Sequence, residues 1–371
     1  MQFVKAENLK TGMRLARPIY NKQGVLLFER NSRLTAQGIA SIANFGLIGL
    51  FILEPAEPVP PMTRADVEFE RFQTMAVFSI QEELERIFAT KKQAKIQSIA
   101  SMLIKNYGHL DSKINFIQSL RSREDYIYKH ALNVSILCTM ISHVMNIKLD
   151  EQLSTILAAL THDIGKLSLP AEIMYLGKTT PESRKMISNA ETGAYGIIEA
   201  VFNDGKIIQR ICKQSQMAIE DLFYGRETNV KMVTGAKILA VADMYDTMTA
   251  MKLSEAPVSE VKALKFLMEN PQTFDPKVVD ALIKSINILM PGISVELNTG
   301  EKALVIQGNE RNILRPIVLS FRDNSIIDLS DEKIYGDIEI TDIMKTLDNR
   351  CVFDTEALKK AGICIEEPEF V

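Results

Sequence analysis

The run Leu157-Ala-Ala-Leu-Thr-His-Asp-Ile-Gly-Lys166 sets an imidazole beside a carboxylate at the end of an apolar stretch. Burying both groups is costly unless they are paired or bind something. One neutral imidazole and one carboxylate are a natural pair for a divalent metal. A bare His-Asp pair is more often a satisfied core histidine next to a capping aspartate, so other segments must decide. His130 lies on the helical stripe of Ile127, Val134, Leu137 and Cys138. Asp243 lies on the small-residue stripe of Ala236, Leu239 and Ala240, with Asp246 and Thr247 on the same face. Ligand-type residues thus sit on the buried faces of three helices. Together His130, His162, Asp163 and Asp243 offer two imidazoles and two carboxylates. The carboxylates neutralise one divalent cation and leave coordination positions open for water and a phosphate oxygen, as a hydrolytic metal requires.

The elements that must position these residues follow from periodicity. Apolar spacing of three and four residues predicts helices over 68–89, 93–107, 113–120, 126–145, 150–163, 181–202, 206–223, 235–251, 258–269 and 276–287. Gly165 is expected to stop the His-Asp helix. Before this region, 13–20 and 25–28 read as strands around the turn 21–24, 34–44 as a short helix ended by Gly46, and 47–53 as a strand. After Pro291-Gly292 the period changes to two, with strands over 294–297, 303–307, 316–321 and 326–329. The tail from 342 reads as short-helical and acidic at its end.

The expected fold is therefore mainly α. It comprises a small N-terminal α/β module over 1–55, a Pro-rich linker over 56–64, a helical region over 65–290 with its functional core at about 120–290, and a small C-terminal antiparallel β module with a tail over 291–371.

The bulk properties narrow the function. The chain has 371 residues with 43 basic and 47 acidic side chains. No basic domain stands out, so nucleic acid is not the expected partner. No apolar run reaches the length of a membrane span, and the N-terminus has no signal-peptide pattern. Cys138, Cys212, Cys351 and Cys364 are scattered without a Cys-x-x-Cys spacing, which fits a reducing cytoplasm. The 17 methionines read as core filler. Only four histidines occur. His143 lies thirteen residues after His130, on roughly the opposite helical face, and His109 sits in a turn; neither is expected at the site.

The order His, then His-Asp, then Asp resembles the metal signature of the HD phosphohydrolase superfamily. The wording of Tyr126-Ile-Tyr-Lys-His-Ala-Leu-Asn-Val134, of His162-Asp-Ile-Gly-Lys166 with Ser168-Leu-Pro170 after it, and of Ala236-Lys-Ile-Leu-Ala-Val-Ala-Asp-Met-Tyr-Asp246 is similar to one branch. That branch is the HD-GYP proteins, bacterial phosphodiesterases that open cyclic di-GMP. The resemblance spans roughly 120–290. It implies an HD-type helical bundle, a divalent metal (iron or manganese) held by His130, His162, Asp163 and Asp243, Asp163 orienting the attacking water, and Lys166, with Lys178 as a further candidate, meeting phosphate as a point charge. The implied partner is a cyclic dinucleotide or another phosphate ester; signalling-protein partners and a homodimer stay open.

The chain also departs from the branch, whose catalytic sites use further histidines downstream. The first such position falls at or near Asn189, a His-His-Glu run falls on Gln214-Ser-Gln216, and the Gly-Tyr-Pro region reads Leu222-Phe-Tyr-Gly225. No histidine follows His162. Amide oxygens suit hard ions and serve iron, manganese or zinc poorly, so one metal is expected, not two or three. Two readings stand: a one-metal phosphohydrolase, and a non-catalytic cyclic-dinucleotide sensor or docking scaffold of the same fold that needs no metal.

Overall fold

The computed structural model describes residues 2–343, apart from 22, 45–48, 54–61, 117, 119, 120, 122–124, 171, 172, 174–179, 203, 204, 227–230 and 251–256. Most of the expected Pro-rich linker, the tail from 344 onward, Gly46 and Lys178 lie outside the described residues.

The N-terminal part holds two small antiparallel sheets and one helix. β1 (Gln2–Lys5) and β2 (Arg14–Leu15) flank β5 (Gly49–Leu53), while β3 (Ile19–Tyr20) pairs with β4 (Leu26–Phe28). Helix α1 (Ala36–Asn44) lies between β4 and β5 in sequence. Leu15, Leu34, Ile42 and Ile52 form a small core of their own. Each such fully buried aliphatic side chain stabilises by roughly 1.5–3 kcal/mol. Periodicity misses β1 and merges β2 with β3, which the segment around Pro18 separates.

The helical part begins with α2 (Arg64–Thr90). Thr63 caps it: its hydroxyl accepts from Asp66 N, and the Asp66 carboxylate accepts from Thr63 N at 2.7 Å. There follow α3 (Ile96–Tyr107), α4 (Tyr126–Val144), α5 (Leu149–Thr161), α6 (Pro181–Val201), α7 (Gly205–Phe223), α8 (Thr234–Thr249), α9 (Glu260–Glu269) and α10 (Pro276–Ser285). Pro181 and Pro276 open their helices behind the capping residues Thr180 and Asp275. Helix α4 is the hub. It is buried over nearly its whole length and packs against α2, α3, α5, α8 and α10. Its interior hydroxyls are satisfied within the helix: Ser135 donates to Ala131 O and Thr139 to Ser135 O.

Two helical expectations fail. Of 113–120, the described residues are not helical; Ile114 instead bridges to Ile286 in parallel, donating to Ser285 O and accepting from Asn287 N. An apolar period within the segment was overridden by pairing with a residue more than 170 positions away. The His-Asp helix α5 ends at Thr161, before Gly165, and the chain continues as a 3-10 turn, Ile164–Ser168. Glycine at 165 answers to packing: a Cβ there would lie 1.8 Å from the carbonyl oxygen of Ala190 on α6.

The C-terminal part is a five-stranded antiparallel sheet in the order β10-β6-β7-β8-β9. Its strands are β6 (Ser294–Leu297), β7 (Lys302–Gln307), β8 (Ile317–Ser320), β9 (Ile326–Asp328) and β10 (Ile340–Ile343), with the one-turn helix α11 (Glu332–Tyr335) before β10. The period of two divides its faces. Val295, Leu297, Ala303, Val305 and Val318 join the helical core, while Leu304 and Ile306 pack with Leu319 and Phe321 on the other face. The tail was expected to turn helical from 342, but Asp342 and Ile343 belong to β10, which pairs with β6.

Candidate metal centre

Three segments meet at one point. His130 comes from the buried helix α4, His162 and Asp163 from the junction between α5 and the 3-10 turn, and Asp243 from α8. Close approach of α8 depends on its first turn. A Cβ at Gly235 would lie 2.5 Å from Thr155 Oγ1 of α5 and 2.9 Å from Ile211 of α7.

Hydrogen bonds settle which ring nitrogens face the centre. His162 Nδ1 lies 2.7 Å from Ala159 O, and a carbonyl can only accept, so Nδ1 carries the proton. His130 Nδ1 lies 2.6 Å from Asp246 Oδ2 and donates to that carboxylate. Both Nε2 atoms are thereby turned inward as lone-pair donors, and they lie 3.2 Å apart. Two lone pairs at that distance need a positive charge between them.

The carboxylates complete the set. Asp243 Oδ1 is 3.2 Å and Asp163 Oδ2 3.7 Å from His130 Nε2, and Asp163 Oδ1 is 3.8 Å from His162 Nε2. Ligands about 2.0–2.2 Å from one ion sit roughly 3–4 Å from each other, so the residues present fit a divalent cation. The atoms of His130, His162 and Asp163 lie within 4.8 Å of one another. Asp243 falls outside this mutual cutoff and joins through its contact to His130, helped by Thr247, whose hydroxyl donates to Asp243 Oδ1 at 3.2 Å.

The electrostatics agree with that charge pattern. Burial opposes a charge on His130, but the hydrogen bonds with Asp243 and Asp246 outweigh it and raise its pKa to about 9. An entering cation must displace that proton. Burial likewise opposes ionised Asp163 and Asp243. Lys166, His162 and His130 still hold Asp163 below the usual carboxylate range, and the hydrogen bond with His130 does most to lower Asp243. Lys166 Nζ is 2.7 Å from Asp163 Oδ2. Burial opposes its charge too, yet Asp163 and then Glu191 keep its pKa raised.

Asp246 is the residue that sequence reasoning noticed on the right face without assigning a role. It is fully buried and accepts from four side chains: His130 Nδ1, Arg121 Nη2 at 2.6 Å, Asn133 Nδ2 at 3.0 Å and Gln118 Nε2 at 3.1 Å. A carboxylate behind a ligating imidazole fixes the ring's tautomer and orientation. Arg121 and Gln118 gave no signal in the sequence, because they lie in the irregular segment between α3 and α4.

The centre opens into a cleft of about 540 Å³ between the 3-10 turn, α6, α7 and α8. Besides the site residues, its walls carry Arg184, Glu191, Gln216, Glu220, Phe223 and Tyr224. From α6 it is Glu191, two positions past Asn189, that enters the cleft. Asn189 is exposed and lines a separate depression with Gly165 and Met186, remote from the imidazoles. Gln214 turns away to the chain before α8, accepting from Val233 N at 2.9 Å. Gln216 stays in the cleft, donating to Glu191 Oε2 at 2.6 Å and accepting from the Tyr195 hydroxyl. His143 pairs with Asp111 and His109 is exposed, both away from the centre.

A helical bundle that brings a His, a His-Asp pair and a later Asp to one point defines the HD type of domain, and residues 115–278 match the family described as HD domain. The chain carries an HD domain of that family. Over 209 residues it is 26% identical to a cyclic di-GMP phosphodiesterase of Pseudomonas aeruginosa, covering 54% of this chain and 49% of the relative. A 3'3'-cGAMP-specific phosphodiesterase of Vibrio cholerae is 25% identical over 172 residues, covering 45% of this chain and 37% of that protein. The chain spans half or less of the length of these curated relatives. A solved structure of an HDG"Y"P protein from Bdellovibrio bacteriovorus aligns over 76% of this chain and 97% of its own, at 14% identity and a TM-score of 0.44. No helix among the described residues is long and apolar enough to cross a membrane.

Proposed function

We propose that this chain is a metal-dependent phosphodiesterase acting on a cyclic dinucleotide, built around one divalent cation held by His130, His162, Asp163 and Asp243. One observation carries the reading: two imidazole Nε2 atoms, each oriented by an acceptor behind it, face each other at 3.2 Å beside two buried carboxylates. Iron or manganese fits a set of two nitrogens and two oxygens. When bound, such an ion supplies a Lewis acid that activates water and draws charge from a phosphoryl oxygen.

The chain's own residues do the rest. Asp163, anchored by Lys166, orients the attacking water through a carboxylate oxygen. Lys166, held charged in the cleft wall, faces the phosphate together with Arg184. Among the described lining residues Asp163, Asp243, Glu191 and Glu220 outnumber these two cations. The cleft alone would repel a phosphodiester, and a divalent cation reverses that balance. The relatives named as cyclic-dinucleotide phosphodiesterases support the substrate class.

A second reading, a sensor that binds without turnover, is favoured by the Gln216–Glu191–Tyr195 network. It occupies the wall where the resemblance expects additional histidines. Anaerobically purified protein supplied with iron or manganese should open cyclic di-GMP, and His162→Ala should abolish this. Absence of turnover in folded, metal-loaded protein, with the dinucleotide still bound, would replace the enzyme reading by the sensor.

A further inference from the structure

Arg17 stands where the N-terminal sheets meet the helical domain. Its Nη1 donates to the main-chain carbonyl of Gln118 at 2.8 Å. Its Nε lies 3.9 Å from Glu70 Oε1 on α2, and its guanidinium carbon sits 4.8 Å from the centroid of the Phe51 ring on β5. The group is thus held from both sides of the junction.

Gln118 carries this contact inward. It belongs to no helix or strand, so no ladder of main-chain hydrogen bonds fixes it. Its side chain nevertheless enters the network behind the metal centre. Nε2 donates to Asp246 Oδ1 at 3.1 Å and to Thr249 Oγ1 at 2.8 Å, while Oε1 accepts from Asn133 Nδ2 at 3.0 Å. Asp246 then accepts the Nδ1 proton of His130 at 2.6 Å. Three hydrogen bonds connect a residue of the N-terminal module to a ligand-type imidazole.

We infer that Arg17 is a positioning residue for the metal centre: by holding the Gln118 main chain it fixes the amide that orients Asp246 and, through it, His130. The inference rests on the reading of His130 as a ligand. A charged donor on a carbonyl makes a stronger and more directional bond than the water that would replace it. Removing it frees an irregular segment whose side chain must present its nitrogen, not its oxygen, to Asp246. The N-terminal module is then part of the support of the site and not an appended unit. Outer partners of metal ligands typically contribute about 10- to 100-fold in metal affinity. Arg17 acts at one remove, so about tenfold is expected.

The test uses the full chain labelled at its four histidines. Arg17→Met keeps the aliphatic stem over Phe51 and removes the donors; Arg17→Lys restores a charged donor. Two quantities are read: the downfield Nδ1 proton resonance of His130 before metal is added, and the cobalt(II) affinity from its visible spectrum. Arg17→Met should shift or broaden that resonance and weaken cobalt binding about tenfold, and Arg17→Lys should recover most of both. A wild-type resonance and wild-type cobalt affinity in folded Arg17→Met would overturn the inference while leaving the metal centre intact. If the wild-type chain binds no cobalt, the metal reading fails separately, and the resonance alone decides the role of Arg17. Should Arg17→Met not unfold cooperatively, Gln118→Met interrupts the same path with the Arg17 contact retained. An unchanged His130 resonance there overturns the inference equally.

Discussion

His130 and Asp246, 116 positions apart, share a 2.6 Å hydrogen bond in which the imidazole donates from Nδ1. That bond points His130 Nε2 at the cleft and simultaneously gives the fully buried Arg121 its counter-charge. The two tasks predict two separable losses. Asp246→Asn should lower divalent-metal affinity about 10- to 100-fold, and should cost about 3–5 kcal/mol of stability because Arg121 is left buried without its carboxylate. Cobalt titration reads the first and chemical denaturation the second. A stability loss with unchanged metal affinity would mean that Asp246 serves Arg121 alone.

Helix α6 offers a paired comparison. Glu191 enters the cleft and is held by Gln216, whereas Asn189 is exposed and two positions away. Glu191→Gln should change cyclic di-GMP turnover or binding by about tenfold or more, since it removes a charge beside Lys166 and alters a charge-assisted hydrogen bond. Asn189→Ala should leave activity near wild type and stability within about 0.5 kcal/mol. The reverse ranking would show that another register of α6 faces the substrate.

Gly165 gives a packing test. An added Cβ would collide with the carbonyl oxygen of Ala190, a main-chain atom that cannot swing aside. Gly165→Ala should destabilise by about 1–3 kcal/mol and should disturb turnover more than surface changes do, because the displaced turn carries Asp163 and Lys166. Thermal unfolding beside kinetic assays checks both parts, and a neutral substitution would contradict the close approach.

Metal addition should stabilise the native chain by linkage. At a free manganese concentration 100 times the dissociation constant the gain is about 2.7 kcal/mol, visible as a rise in unfolding temperature. The rise should be absent in His162→Ala and reversed by a chelator. An equal rise in His162→Ala would place the ion elsewhere.

Much of this was legible in the amino-acid order, because helical periodicity is local. The run of helices, the change to a period of two after Pro291, and the placement of His130, His162, Asp163 and Asp243 on apolar faces all follow from spacings within one segment. The ligand-type residues could be grouped because burying four such groups is costly unless they meet. What periodicity cannot express is how one helix is rotated against another. Whether Asn189 or Glu191 faces the cleft depends on α6 seating against Gly165, a contact between distant segments. The network of Arg17, Gln118, Arg121 and Asp246 was likewise invisible. Two of its members lie in an irregular segment read as helical, and its bonds span separations of 101 to 128 residues. The sequence by itself determined which side chains could bind a cation. Only the tertiary structure decided which acceptors stand behind them, because tautomer and orientation are set by long-range hydrogen bonds with no period to read.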